Sequence, residues 1–223
     1  MRRTLVIIGH PFAGSFTHAL ATRYIEGARD GGADVRVIDL ARDEFELVAA
    51  ERAELRAPGG TTTHLDARIR SFIDDVEWAE HVVLAFPQWW GTYPAVLKAF
   101  IDRVVLSGRA YRHGRGHVST RLLGGRTARL MMTMDAPRVW NRLVYRNAAE
   151  TSLSRATLAY VGIRAIGVTR FTPVRFSSPE RRARWLAAAT RLGRRDAAAR
   201  FRDRAHGSRA AAERAAHQGG VHA

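Results

Sequence analysis

Short apolar runs and longer amphipathic runs alternate along the chain. Thr4 to Gly9 is apolar and β-branched but too short for a helix, so it predicts a first buried strand. Ser15 to about Asp30 predicts a helix with Ala19, Leu20, Tyr24 and Ala28 facing inward, ended by Gly31-Gly32. Asp34 to Leu40 alternates Val35, Val37 and Leu40 with polar residues, a second strand. Ala41 to Thr63 has no period; a short helix near Ala49 to Arg56 and a turn at Pro58-Gly59-Gly60 are its local signals. His64 to Ala79 predicts a helix with Leu65, Ile69, Phe72 and Val76 on one face. Val82 to Phe86 reads as a third strand. Pro94 to Val105 follows as a helix, with Val96, Leu97, Phe100, Ile101 and Val104 at spacings of three and four.

Ser107 to Gly125 carries five glycines and predicts a long surface loop. Thr127 to Met134 is a fourth strand, Arg138 to Val161 a largely helical stretch closed by Gly162, and Ile163 to Val174 a fifth strand. Ser178-Pro179 opens a last helix predicted to run to about Arg204, weakened at Gly193. Strands alternating with helices imply a parallel, doubly wound α/β sheet with helices on both faces. Five strands suit the flavodoxin-like order 2-1-3-4-5, whose crevice opens where strands one and three diverge. One domain over residues 1–206 and a disordered Ala/Arg/Gly/His tail over 207–223 complete the expected organisation.

Composition narrows the function classes. Hydrophobic residues are 46% of 223, so the chain is globular. No apolar run reaches the length of a membrane span, and Gly9-His10-Pro11 ends the first one too early for a signal segment. The absence of cysteine removes disulfides and thiolate metal sites and agrees with a cytoplasmic protein. The net charge of +15 suggests a polyanion partner. But Lys98 is the single lysine, and arginine and alanine abundance follows a GC-rich codon bias. No nucleic-acid partner is expected, and His217 and His222 read as solvated rather than as metal ligands.

Three loops at the carboxyl edge carry the candidate chemistry. The first is Gly9-His10-Pro11-Phe12-Ala13-Gly14-Ser15-Phe16-Thr17, a turn opening a helix whose free N–H groups and positive end suit an anion. Ser15 reads equally as a plain N-cap. GxxxxGK[ST], GxGxxG and GxSxG are all missing there, which disfavours nucleotide triphosphate, nicotinamide Rossmann and hydrolase sites. The second loop holds Trp89-Trp90. Both could be core, but neighbours cannot point the same way, so one should line a cleft. The third is Thr133-Met134-Asp135-Ala136-Pro137-Arg138-Val139-Trp140. There Asp135 caps the next helix with Trp140 packed beneath it, or the loop backs a ligand with Trp140 bordering a flat pocket. A phosphate cradle between two walls for a planar ring describes a flavin nucleotide site.

On these residues the chain resembles the NAD(P)H:quinone oxidoreductases of the flavodoxin-like superfamily, including the bacterial modulator-of-drug-activity type. The features are Gly9-His10-Pro11 with Ser15, the run Phe86-Pro-Gln-Trp-Trp-Gly-Thr-Tyr-Pro-Ala-Val-Leu-Lys-Ala-Phe-Ile-Asp-Arg-Val104, Ala110-Tyr111, and Ala156-Thr-Leu-Ala-Tyr-Val-Gly-Ile163. The resemblance implies that His10, Ser15, Phe16 and Thr17 hold the flavin phosphate and ribityl chain. Pro87, Gln88, Trp89, Trp90 and Gly91 would contact the ring, and Thr133, Met134 and Asp135 would close its other edge. Tyr111 would lie beside the substrate. Thr133 to Pro137 departs from the Thr-Gly-Gly turn of many members. The implied activity is ping-pong transfer of two electrons from NAD(P)H, through FMN (FAD being the alternative), to a quinone or similar flat acceptor. A homodimer is implied as well. The rival readings are a flavodoxin-type electron carrier and a regulatory subunit of a membrane transport protein.

Overall fold

The computed structural model describes residues 1–114 and 119–199. Its core is a five-stranded parallel sheet of β1 (Arg3–Ile8), β2 (Asp34–Asp39), β3 (His81–Pro87), β6 (Thr127–Thr133) and β7 (Arg164–Phe171), in the order β2-β1-β3-β6-β7. Renumbered among themselves these are strands 2-1-3-4-5, the expected doubly wound order. Two further short strands, β4 (Tyr111–His113) and β5 (Ser119–Arg121), pair antiparallel outside this sheet.

Strand periodicity sends alternate residues to opposite faces. Leu5 and Ile7 of β1, with Val82, Leu84 and Phe86 of β3, join one core cluster. That cluster includes Ile69 and Phe72 of α2 (Ala67–Trp78) and Leu97 and Phe100 of α3 (Ala95–Val104). Val6, Ile8, Val83 and Ala85 join the other, with Leu20 and Tyr24 of α1 (Phe16–Asp30) and Ala189 of α7 (Pro179–Ala198). Both faces of β3 and β6 are buried throughout, which explains the apolar run of β3 and leaves Arg129 as a buried charge within β6.

Four expectations are revised or refined. The stretch Arg138 to Val161 is largely helical, as expected, but a break at residues 144–147 divides it. It contains α4 (Arg138–Leu143), α5 (Ala148–Thr151), a π-helical turn (Ser152–Leu158) and α6 (Ala159–Val161). Arg146 and Asn147 adopt left-handed φ of 49° and 55° between α4 and α5, a region that asparagine tolerates. The Ser107 to Gly125 loop carries the β4–β5 hairpin. Gly193 does not merely weaken α7. A Cβ there would sit 2.1 Å from the Tyr24 carbonyl oxygen, and one at Gly27 would sit 2.0 Å from that of Thr190. The two glycines let α1 and α7 cross backbone to backbone. Finally, the helix expected from His64 begins later: Asp66 caps α2, accepting from the N–H groups of Arg68 and Ile69. The helix predicted to reach Arg204, the domain boundary at 206, the tail over 207–223, His217 and His222 lie outside the described residues beyond Ala199.

Candidate active site

Backbone hydrogen bonds fasten all three loops to one edge of the sheet. Gly9 N donates to Ala85 O at 2.7 Å, Gln88 N to Thr133 O at 2.7 Å, and Met134 N to Phe171 O at 3.1 Å. The register sets Ile8 beside Ala85 and Pro87 beside Thr133, so the loops leave at one level. Between them lies a cleft of about 350 Å³, a size that small-molecule sites use. His10, Ser15, Phe16, Thr17, Pro87, Gln88, Trp89, Trp90, Gly91, Thr133, Met134 and Asp135 all line it. A larger groove of about 960 Å³ runs beside Leu40 and Val96. Its acidic lining of Asp43, Glu44, Glu46 and Asp66 against a single arginine, Arg68, would repel a phosphate.

One wall is the start of α1. Ser15 is its N-cap in extended conformation, and its hydroxyl accepts from His18 N. The first turn has no acidic residue. The N–H groups of Phe16 and Thr17 have no partner within the helix by their position, so an anion there would meet free donors and the positive helix end. The two readings of Ser15, cap and cradle, are compatible. A carboxylate orients this wall. Asp39 Oδ1 is acceptor-only and lies 2.9 Å from His18 Nε2, which therefore carries the proton in the neutral ring. His18 Nδ1 is then the acceptor for the Ser15 hydroxyl at 2.7 Å. Thr17 is less free than the sequence suggested, since its Oγ1 lies 2.8 Å from Thr133 Oγ1 and both are buried. That contact ties the first loop to the third. His10 is held below the usual histidine range by burial and by neighbouring His18. Its Nδ1 accepts from Phe12 N at 3.1 Å, which leaves the proton of the neutral ring on Nε2.

The aromatic wall is a two-residue turn. Trp89 and Thr92 exchange two backbone hydrogen bonds, each 2.9 Å, around Trp90 and Gly91. Both tip residues have positive φ, 50° and 77°, as a type I′ turn requires. Glycine accepts that conformation freely; tryptophan does not. The turn holds Trp90 fully exposed, while Trp89 is 39% exposed with its ring edge-on to His10 at 5.6 Å between centroids. Both tryptophans line the cleft.

The third loop departs from its expected local structure. Asp135 does not cap α4; Pro137 occupies that position without a side-chain cap bond. Instead Asp135 Oδ1 accepts from Arg175 N at 2.8 Å, clamping the chain after β7. Trp140 is exposed on α4 and absent from the cleft lining. Its place is taken by Tyr145, whose ring would lie 3.2 Å from a Cβ at Gly91. The sequence concealed Tyr145 because the break at Arg146-Asn147 that positions it lies inside an apparently continuous helical pattern. Ala136 and Val174 also line the cleft unforeseen. Tyr111 is not brought to this cleft. It packs against Tyr160 at 5.0 Å in a separate apolar groove with Ile101 and Leu106, because the β4–β5 hairpin folds back over α3 and α6.

Behind the cleft, Gln88 Nε2 donates to Asn141 Oδ1 at 2.6 Å and Asn141 Nδ2 donates to Glu150 Oε1 at 2.8 Å. Arg170 Nε donates to the same Glu150 oxygen at 2.7 Å, and its Nη2 to the other. Asn141 and Glu150 are buried. Among the described residues no cluster of His, Cys, Asp and Glu could hold a metal ion.

A parallel doubly wound sheet with its cleft at the carboxyl edge, where strand order reverses, defines the class of open α/β proteins whose ligands bind at that edge. A family model described as Flavodoxin-like fold matches residues 2–195, and the chain belongs to that family. A ribosyldihydronicotinamide dehydrogenase-like protein of Penicillium crustosum is 29% identical over 137 residues, 56% of this chain and 51% of its own length. The FMN-dependent NADH:quinone oxidoreductase of Macrococcus caseolyticus is 27% identical over 127 residues, covering 51% of this chain and 60% of its own length. The chain thus spans little more than half the length of these relatives. The NAD(P)H:quinone oxidoreductase of Methanothermobacter marburgensis superposes with a TM-score of 0.73 at 21% identity, over 86% of this chain and 98% of its own, a likeness of fold.

Proposed function

We propose that the cleft binds FMN and that the protein is an NAD(P)H:quinone-type oxidoreductase. The observation that carries this is the joining of an unpaired helix N-terminus with aromatic walls in one cleft. A terminal phosphate fits the Ser15–Thr17 turn, where N–H donors abound and the first helical turn holds no acidic residue. A planar ring fits between the Trp89–Gly91 turn and the Thr133–Asp135 loop. The relative named for FMN and quinone supports the same assignment.

When bound, the flavin would supply two-electron chemistry, accepting hydride equivalents from NAD(P)H and passing them to a quinone or similar flat acceptor. The chain's residues bind and orient. The free amides of Phe16 and Thr17, at the helix start that Ser15 caps, hold the phosphate. Trp89 and Tyr145 wall the ring, and Trp90 covers the open side where flat donor and acceptor would stack in turn. No helix among the described residues is long and apolar enough to cross a membrane, and a cytoplasmic site of action is part of the proposal. So is a homodimer, supported by the full exposure of Trp90 and by the apolar groove around Tyr111. Light scattering after size exclusion should give twice the chain mass.

The deciding experiment is the visible spectrum of purified protein before and after anaerobic NADPH. A flavin spectrum that bleaches is expected. A bound flavin resisting both NADPH and NADH would replace the enzyme with an electron carrier or a regulatory subunit. No uptake of FMN or FAD would overturn the assignment.

A further inference from the structure

We infer that Asn141 and Glu150 are positioning residues that fix which end of the Gln88 carboxamide the cleft receives. An amide can present a donor or an acceptor, and the choice is set by its partners. The relay of Gln88, Asn141, Glu150 and Arg170 leaves no freedom. Glu150 is a carboxylate and can only accept, and Arg170 occupies both of its oxygens. Asn141 must therefore turn its Nδ2 to Glu150 Oε1, a bond of 2.8 Å, and to Asn147 Oδ1 at 3.1 Å. Its Oδ1 then faces Gln88, which must donate Nε2 to it at 2.6 Å. Reversing Gln88 would set oxygen against oxygen there. Reversing Asn141 as well would leave its oxygen facing a buried carboxylate. Burial of Asn141 and Glu150 excludes the water that would otherwise relax either mismatch.

The outcome at the cleft is an acceptor. Gln88 lines the cleft with Nε2 engaged behind it, and among the described residues no donor meets its Oε1. The further step rests on the flavin reading. Two-electron reduction adds N–H donors to the flavin ring, so a locked acceptor favours the reduced ring over the oxidised one. Glu150, which does not line the cleft, thereby acts on the cofactor's potential through two intervening amides.

Two measurements test this, one of them independent of flavin. In apo-protein, nitrogen-15 NMR of the Gln88 side-chain amide should show slow solvent exchange, lost in Asn141→Ala. Exchange as fast as that of a surface glutamine would overturn the lock. In FMN-loaded protein, Asn141→Ala should lower the ratio of affinities for reduced over oxidised flavin about tenfold, a midpoint potential lower by about 30 mV. In a Gln88→Leu background the same substitution should produce no further shift. Glu150→Gln, which still offers Asn141 a carbonyl oxygen, should retain both signatures. An unchanged potential despite a released amide, or an equal shift in the Gln88→Leu background, would overturn the role. Failure of the wild type to bind flavin would instead fall on the proposed function, with the exchange measurement still deciding the lock.

Discussion

The two edges of the sheet are built on opposite electrostatic plans. At the amino edge, Arg129 of β6 grips Asp196 of α7 through both oxygens, and Tyr24 of α1 donates to the same carboxylate at 2.8 Å. Arg2 reaches the Asp196 backbone and Thr127, and His81 of β3 lies 2.8 Å from Thr127 Oγ1. Tyr24, His81, Thr127, Arg129 and Asp196 are all buried. At the carboxyl edge, Trp90 stands fully exposed, the first N–H groups of α1 have no helical partner, and Gln88 presents an unmatched oxygen. The amino edge pairs the buried Arg129 and Asp196 charges with each other. The carboxyl edge leaves donors, an acceptor and aromatic surface for a ligand to match. Paired buried charge is concentrated at one edge and unmatched polar and aromatic groups at the other.

Cutting the amino edge should have the largest effect. Asp196→Ala leaves the Arg129 guanidinium buried without its carboxylate, and about 3–5 kcal/mol of stability should be lost in urea unfolding. If the two edges are independent, surviving folded protein should still take up FMN with unchanged affinity. Next is Ser15→Asp, which sets a negative charge in the phosphate turn yet still caps α1. Like-charge repulsion of several kcal/mol should weaken FMN binding more than a hundredfold, with the melting temperature nearly unchanged. Full flavin occupancy in that variant would remove the cradle assignment.

Acid should separate the edges more gradually. Burial holds His81 below the usual histidine range, so the folded state keeps it neutral. That contribution is present above pH about 6.5 and is lost as pH falls below it. Burial pushes the Asp196 carboxyl up, but His81, the Arg129 guanidinium and the Tyr24 hydroxyl outweigh it and hold the carboxyl well below the usual range. Its contribution is lost only at stronger acid. Unfolding free energy should therefore fall below pH about 6.5 and again below the carboxylate range, and His81→Gln should remove its share of the first stage and leave that of His10. The smallest effect is expected at the ligand turn. Trp90→Asn relieves a left-handed conformation that tryptophan resists, so stability should rise by about 1 kcal/mol while affinity for flat ligands drops. A thermal melt paired with a quinone titration reads both.

Much of this plan is local in the sequence. The strand pattern of β1 and β3, the Ser15 cap and the proline opening α3 need only neighbours within a turn or two, and the three loops follow from where the strands end. The departures from the local reading have one cause. Asp135 is the right residue type to cap α4, but Arg175, forty positions on, takes its carboxylate. Trp140 and Tyr111 are aromatic in suggestive places, and in the folded chain Trp140 is exposed on α4 while Tyr111 packs on β4 against Tyr160, both apart from the cleft lining. Gly193 looks like a helix fault until α1 is packed against it.

The sequence by itself therefore determined the order of the five core strands and which three loops leave at the cleft edge, because hydrophobic period and capping act over a few residues. Tertiary structure alone decided which polar atoms remain free. Whether Gln88 offers oxygen or nitrogen, whether Thr17 keeps its hydroxyl, and which carboxylate Arg129 meets depend on partners up to 116 positions away. A hydrogen bond is fixed by distance in space, and only the folded chain sets that distance.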